Sequence, residues 1–104
     1  MNLKDFTRGW IVGDFEPALV QTQDVEIGIL NLKAGEKGDS HFHCAHIEWN
    51  VILSGAAFLN GKIYSKGDIF TFLPFEESTV EYPMDTQLLV IKSPAIKGDK
   101  HYSK

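Results

Sequence analysis

The chain has 104 residues, 43% of them hydrophobic and 12% aromatic, and its 14 acidic and 10 basic side chains give a formal charge of −4. That length suits one domain with a single core and leaves little chain for a separate lid or regulatory module. The charges are scattered, with no basic cluster before the closing "KGDKHYSK", and no apolar run approaches the roughly 20 residues of a membrane span, so neither nucleic acid nor a membrane is an expected partner.

The opening "MNLKDFTRGW" lacks the continuous apolar segment of a secretory signal. Cys44 is the single cysteine and excludes an intramolecular disulfide, so a reducing, cytoplasmic setting is expected. "WIVGDF" (Trp10 to Phe15) reads as a strand stopped by Glu16-Pro17, and "VEIGILNLK" (Val25 to Lys33) as an alternating strand running into Ala34-Gly35. "IEWNVILSG" is β-branched and aromatic and ends at Gly55. Asn60-Gly61 separates two apolar runs and predicts a hairpin, because both residues tolerate the positive φ of a type I′ turn. "DIFTFLP", "STVEY" and "TQLLVIKSP" complete the series.

About eight strands, with turn signals roughly every 8 to 12 residues, predict an all-β antiparallel sandwich or barrel without a substantial helix. No repeat, linker or low-complexity segment divides the chain, so 1–104 is expected to be one domain. The polar tail that carries His101 is expected to be partly mobile.

"HFHCAHIE" (His41 to Glu48) packs three of the four histidines and a carboxylate into one short stretch. In extended backbone the two-residue period puts His41 and His43 on one face, about 6 to 7 Å apart, whereas a helix would turn them apart by about 200°. His46 and Glu48 are again two apart, and a turn at Cys44-Ala45 would bring the second pair to face the first. Neutral imidazoles with one carboxylate suit a first-row divalent ion, with iron, manganese, nickel and zinc all compatible. Two surface histidines on a loop are the competing reading.

A longer pattern runs through the same stretch: Gly35, five residues, His41-x-His43, four residues, Glu48, six residues, Gly55. It resembles the first motif of the cupin superfamily, G-x5-H-x-H-x3,4-E-x6-G. The resemblance covers about Val25 to Pro94, with an N-terminal strand and the polar tail flanking that core. It implies a double-stranded β-helix, a jelly-roll barrel of two antiparallel sheets, with His41, His43 and Glu48 as metal ligands in the barrel mouth. The second cupin motif is degenerate. Counted from Gly67, its glycine position falls on Phe75 and its histidine position on Ser78, with the proline one residue late at Pro74. The fourth ligand is therefore missing, which leaves three readings: a facial triad completed by water, His46 as the replacement, or a pocket that has lost its metal.

Glu76 and Glu77 read as solvated loop charges, and Cys44 as a small packing residue. Trp49, Phe58, Tyr64, Phe70, Phe72 and Tyr82 read as core or dimer-contact residues that also have the chemistry to line a pocket. Similar cupins carry out isomerisation, epimerisation and dioxygenation, and others bind a small ligand without turning it over, so the resemblance leaves open whether the chain is an enzyme. The expected partner is a small polar or carbohydrate-like molecule, and a homodimer is the expected assembly. A proton shuttle apart from the metal would have to come from His46, Tyr64 or Tyr82, and no catalytic residue is assigned.

Overall fold

The computed structural model describes residues 1–36, 41–43, 46–76, 79–95 and 100–102, the stretches 41–43 and 100–102 as backbone. Ten strands are found among them: β1 (Trp10–Gly13), β2 (Val20–Gln21), β3 (Glu26–Leu32), β4 (His41–His43), β5 (Ile47–Ser54), β6 (Ala56–Leu59), β7 (Lys62–Ser65), β8 (Ile69–Phe72), β9 (Thr86–Ser93) and β10 (Lys100–Tyr102). A single 3-10 turn at Leu3–Asp5 precedes them, capped by the Asn2 side chain. Among the described residues, no helix is long and apolar enough to cross a membrane.

One sheet of six strands dominates, in the order β2-β1-β3-β9-β5-β8, and two further ladders pair β6 with β7 and β4 with β10. Every pairing is antiparallel except β1 with β2, where Val12 lies opposite Val20 in a parallel register. The hairpin falls where Asn60-Gly61 predicts it, with φ of +52° and +77° at the two turn residues, both in the region that a type I′ turn requires.

The two-residue period decides what each strand buries. On β5, Glu48, Asn50 and Ile52 are buried while Ile47, Trp49, Val51 and Leu53 are half-buried on the opposite face. Registers with β9 and β8 extend that division across the sheet. The core lies between the inner face of the large sheet (Ile52, Phe70, Phe72, Leu88, Val90) and a cover made by Ala57 and Leu59 of β6 with Val80 and Tyr82. Each large side chain so buried contributes about 2 kcal/mol. The aromatic members pack tilted or edge-on, with centroids 5.4 Å apart for Tyr64 and Phe70 and 5.7 Å for Phe70 and Phe72.

One expectation is corrected. Residues 79–82 of "STVEY" do not form a strand: Glu81 forms one bridge to Phe58, and the backbone of Tyr82 turns instead to the opposite loop, donating to the Glu36 carbonyl and accepting from Gly35. The polar tail contains β10, which pairs with β4 in the register Lys100 to His43, His101 to Phe42 and Tyr102 to His41. Trp49 faces outward and Phe58 is 38% exposed, so of the two roles expected for them, core or dimer contact, the core role does not apply.

Candidate functional site

Registers across the large sheet lay its inner face out in rows. Glu48 on β5 lies opposite Lys92 on β9 and Phe72 on β8, and Lys92 lies opposite Glu26 on β3. The next row holds Asn50, Phe70, Val90 and Gly28, and the row below it Ile52, Leu88 and Leu30. The inner face is therefore polar at one end and apolar beneath, an arrangement that holds a charged group against a dry floor.

Glu48 is 7% exposed, and Asn50 and His46 are 3% exposed. A buried carboxylate is costly unless it is neutralised or hydrogen-bonded. Here the Asn50 amide donates to Glu48 Oε2 at 3.2 Å, and Lys92 Nζ stands 3.8 Å from Oε1. The Lys92 ammonium also lies 4.8 Å over the ring of Trp10. Gly28 makes that placement possible, since a Cβ there would sit 2.5 Å from the indole. Tyr82 is held protonated well above the ordinary tyrosine range, first by burial, then by the negative charges of Glu48 and Glu36. Its hydroxyl can donate a proton-bearing hydrogen bond through the neutral range but is not a base there.

The histidine stretch is partly visible. Residues 41–43 are extended strand, the backbone that the H-x-H spacing needs in order to chelate. The imidazoles of His41 and His43 lie outside the described residues, as do Cys44, Glu77, Ser78 and the side chain of His101. His46 is buried directly before β5, two residues from buried Glu48. Glu76 is exposed, and its Oε1 accepts from the Leu73 N–H at 3.2 Å, so it closes a turn in its own loop. Tyr64 packs against the core with Lys62 over its ring at 5.0 Å, a structural rather than a shuttling role.

The motif glycines have physical reasons. Gly35 and Gly55 adopt φ of +86° and +88°, where side chains are disfavoured. Gly55 has a second constraint, because a Cβ there would lie 2.4 Å from the Asp85 carbonyl oxygen. Phe75, at the position counted as the second motif's glycine, keeps a left-handed φ of +65° and is 69% exposed. The loop has thus kept the glycine's backbone shape without the glycine.

Lys92 carries a signal in sequence: in "TQLLVIK" the lysine falls on the same alternate positions as Leu88 and Val90, both of which are buried.

Among the described residues no group of three or more His, Cys, Asp or Glu side chains gathers into a metal site. The described donors are the buried Glu48 carboxylate and the buried His46 imidazole, and that chemistry fits a first-row divalent ion once His41 and His43 are added. Asn50 would hold the carboxylate in place from behind, as the outer partners of metal ligands do.

No protein-family model matches the chain, and no curated protein matches it in sequence. Solved structures do match. A conserved double-stranded β-helix protein from Klebsiella pneumoniae superposes with a TM-score of 0.74 at 16% identity, over 99% of this chain and 89% of its own. An RmlC-like cupin from Shewanella frigidimarina gives a TM-score of 0.64 at 22% identity, over 72% of this chain and 70% of its own. A variant of salicylate 1,2-dioxygenase from Pseudoaminobacter salicylatoxidans gives 0.58 at 16% identity, over 68% of this chain and 22% of that enzyme. The protein therefore has the double-stranded β-helix fold of the cupins.

Proposed function

We propose that the chain is a small-molecule cupin in which His41, His43 and Glu48 hold a divalent transition-metal ion at the polar end of the barrel, with buried His46 a further candidate donor. The observation that carries this reading is Glu48, a carboxylate buried on the inner face beside a buried histidine. A bound ion would supply Lewis acidity toward a carbonyl, or activation of water or dioxygen. Around it, Asn50 orients the Glu48 carboxylate, Tyr82 offers a protonated hydroxyl, and Phe70 and Phe72 keep water from the floor. The reaction class is isomerase, epimerase or dioxygenase, and one structural neighbour is by name a dioxygenase. The ligand is a small polar or carbohydrate-like molecule, and the lone Cys44 accords with a cytoplasmic setting.

A second reading, a binding cupin without a metal, draws on the 3.8 Å approach of Lys92 to Glu48, which offsets the carboxylate charge without an ion. Metal affinity across pH separates the two. Ligating imidazoles must be neutral, so affinity for zinc, measured by competition with a chelating dye, is expected to be flat above pH 7 and to weaken steeply as pH falls through about 6. An affinity unchanged between about pH 5 and 8, or no binding at any pH, would exclude the histidine centre.

The outer face of the large sheet presents Ile27, Ile29, Trp49, Val51, Leu89 and Ile91 in register, and no charged side chain interrupts these rows. A face with no charge can meet a copy of itself across a two-fold axis without like-charge repulsion. We assign a second copy of the chain to it. Light scattering is expected to give twice the monomer mass, reduced to one by Val51→Glu; a monomeric native protein would refute the assignment.

A further inference from the structure

We propose that Lys92 is the anion-binding residue of the barrel site, and that the ligand it selects carries a carboxylate. This rests on the reading of Glu48 as a metal ligand and goes on to name the chemical class of what binds.

Lys92 faces the barrel interior, in register between Glu48 on one side and Glu26 on the other, and its side chain is 12% exposed. Among the described residues its ammonium has no acceptor within hydrogen-bonding distance. Glu48 Oε1 at 3.8 Å attracts it electrostatically but is too far for a hydrogen bond, and the Trp10 ring at 4.8 Å takes it face-on. An ammonium has three N–H donors to place. Indole and carboxylate fix where the cation sits and leave those donors for something else.

Charge balance says what that is. The buried carboxylate of Glu48 and the ammonium of Lys92 offset each other, while Glu26 is only half-buried. A divalent ion with neutral imidazoles makes the buried site positive, and a buried excess charge is costly until it is matched. An anion placed against Lys92 reduces that excess. A carboxylate does so while leaving the rest of a small molecule toward Phe72 in the same row and Phe70 and Val90 in the row below. Gly28 belongs to the same device, because its missing Cβ lets the Trp10 ring lie where it guides the ammonium.

The test uses the zinc-loaded full chain, with acetate as the probe and acetamide as its neutral isostere. The readout is the Trp10 indole N–H resonance, one of two tryptophan signals in the chain, with zinc content measured by plasma mass spectrometry on the same samples. Acetate is expected to shift the resonance saturably and acetamide not to. Lys92→Met should weaken the acetate response at least about tenfold, and Lys92→Arg, which keeps the cation, should retain it within about threefold. Zinc bound with no acetate response, or with a response that survives Lys92→Met unchanged, overturns the proposal and leaves the metal reading intact. No zinc bound overturns the metal reading. A Lys92-dependent acetate response in that zinc-free protein would still support the anion site, and its absence would end both.

Discussion

Glu48→Gln is expected to lower the unfolding free energy of the metal-free protein by about 3 kcal/mol, the scale on which breaking a buried ion pair strands the surviving charge. The stranded group is Lys92, whose side chain is 12% exposed against 9% for Glu48. The amide of glutamine can keep a hydrogen bond with Asn50 but cannot offset the ammonium. Lys92→Met introduced together with Glu48→Gln removes the stranded charge and fills the space with apolar volume. The double variant is therefore expected to be less destabilised than the sum of the two singles, by more than about 1 kcal/mol. Chemical denaturation of the four proteins gives the coupling directly. Additive losses would mean that the 3.8 Å approach is incidental and that the two side chains act independently.

Gly55→Ala is expected to have a comparable effect through the backbone. A methyl group there meets the Asp85 carbonyl oxygen at 2.4 Å and Thr86 Oγ1 at 2.5 Å, and φ is +88°. The carbonyl is main chain, and the hydroxyl is already committed, donating to the Ala56 carbonyl and accepting from the Ala56 N–H. Neither yields cheaply. Strain at a positive φ and the overlap together should cost about 3 kcal/mol. Gly35→Ala shares the φ but meets nothing within 4 Å, so its cost should be about 1 kcal/mol. Similar losses at the two positions would contradict the assignment of the larger effect to contact rather than conformation.

These two glycines also show why much of the fold was legible in sequence. Gly35, His41, His43, Glu48 and Gly55 keep a spacing that local geometry sets: a left-handed turn, an extended stretch, and an alternating strand closed by a glycine against a neighbouring backbone. Asn60-Gly61 is similarly local, its hairpin being fixed by two positive φ values. What the sequence hid depends on register, which no local pattern encodes. Lys92 gains its significance only when β9 is laid beside β5, Glu48 lands opposite it and Trp10 covers it. The 79–82 segment has strand-like residues, yet its hydrogen bonds are divided, those of Glu81 going to Phe58 and those of Tyr82 to Gly35 and Glu36, so no ladder forms. The polar tail's strand exists through pairing with β4 rather than through its own propensity. The burial of His46 likewise shows only in three dimensions.

The metal centre proposed for "HFHCAHIE" is open to direct measurement. Plasma mass spectrometry on protein purified without a histidine tag or chelator, beside the His41→Ala/His43→Ala variant, tests it most directly. About one equivalent of a first-row transition metal per chain is expected, lost in the variant while circular dichroism shows the barrel still folded. Absence of metal in the native protein even after reconstitution, or equal metal in the variant, would contradict it.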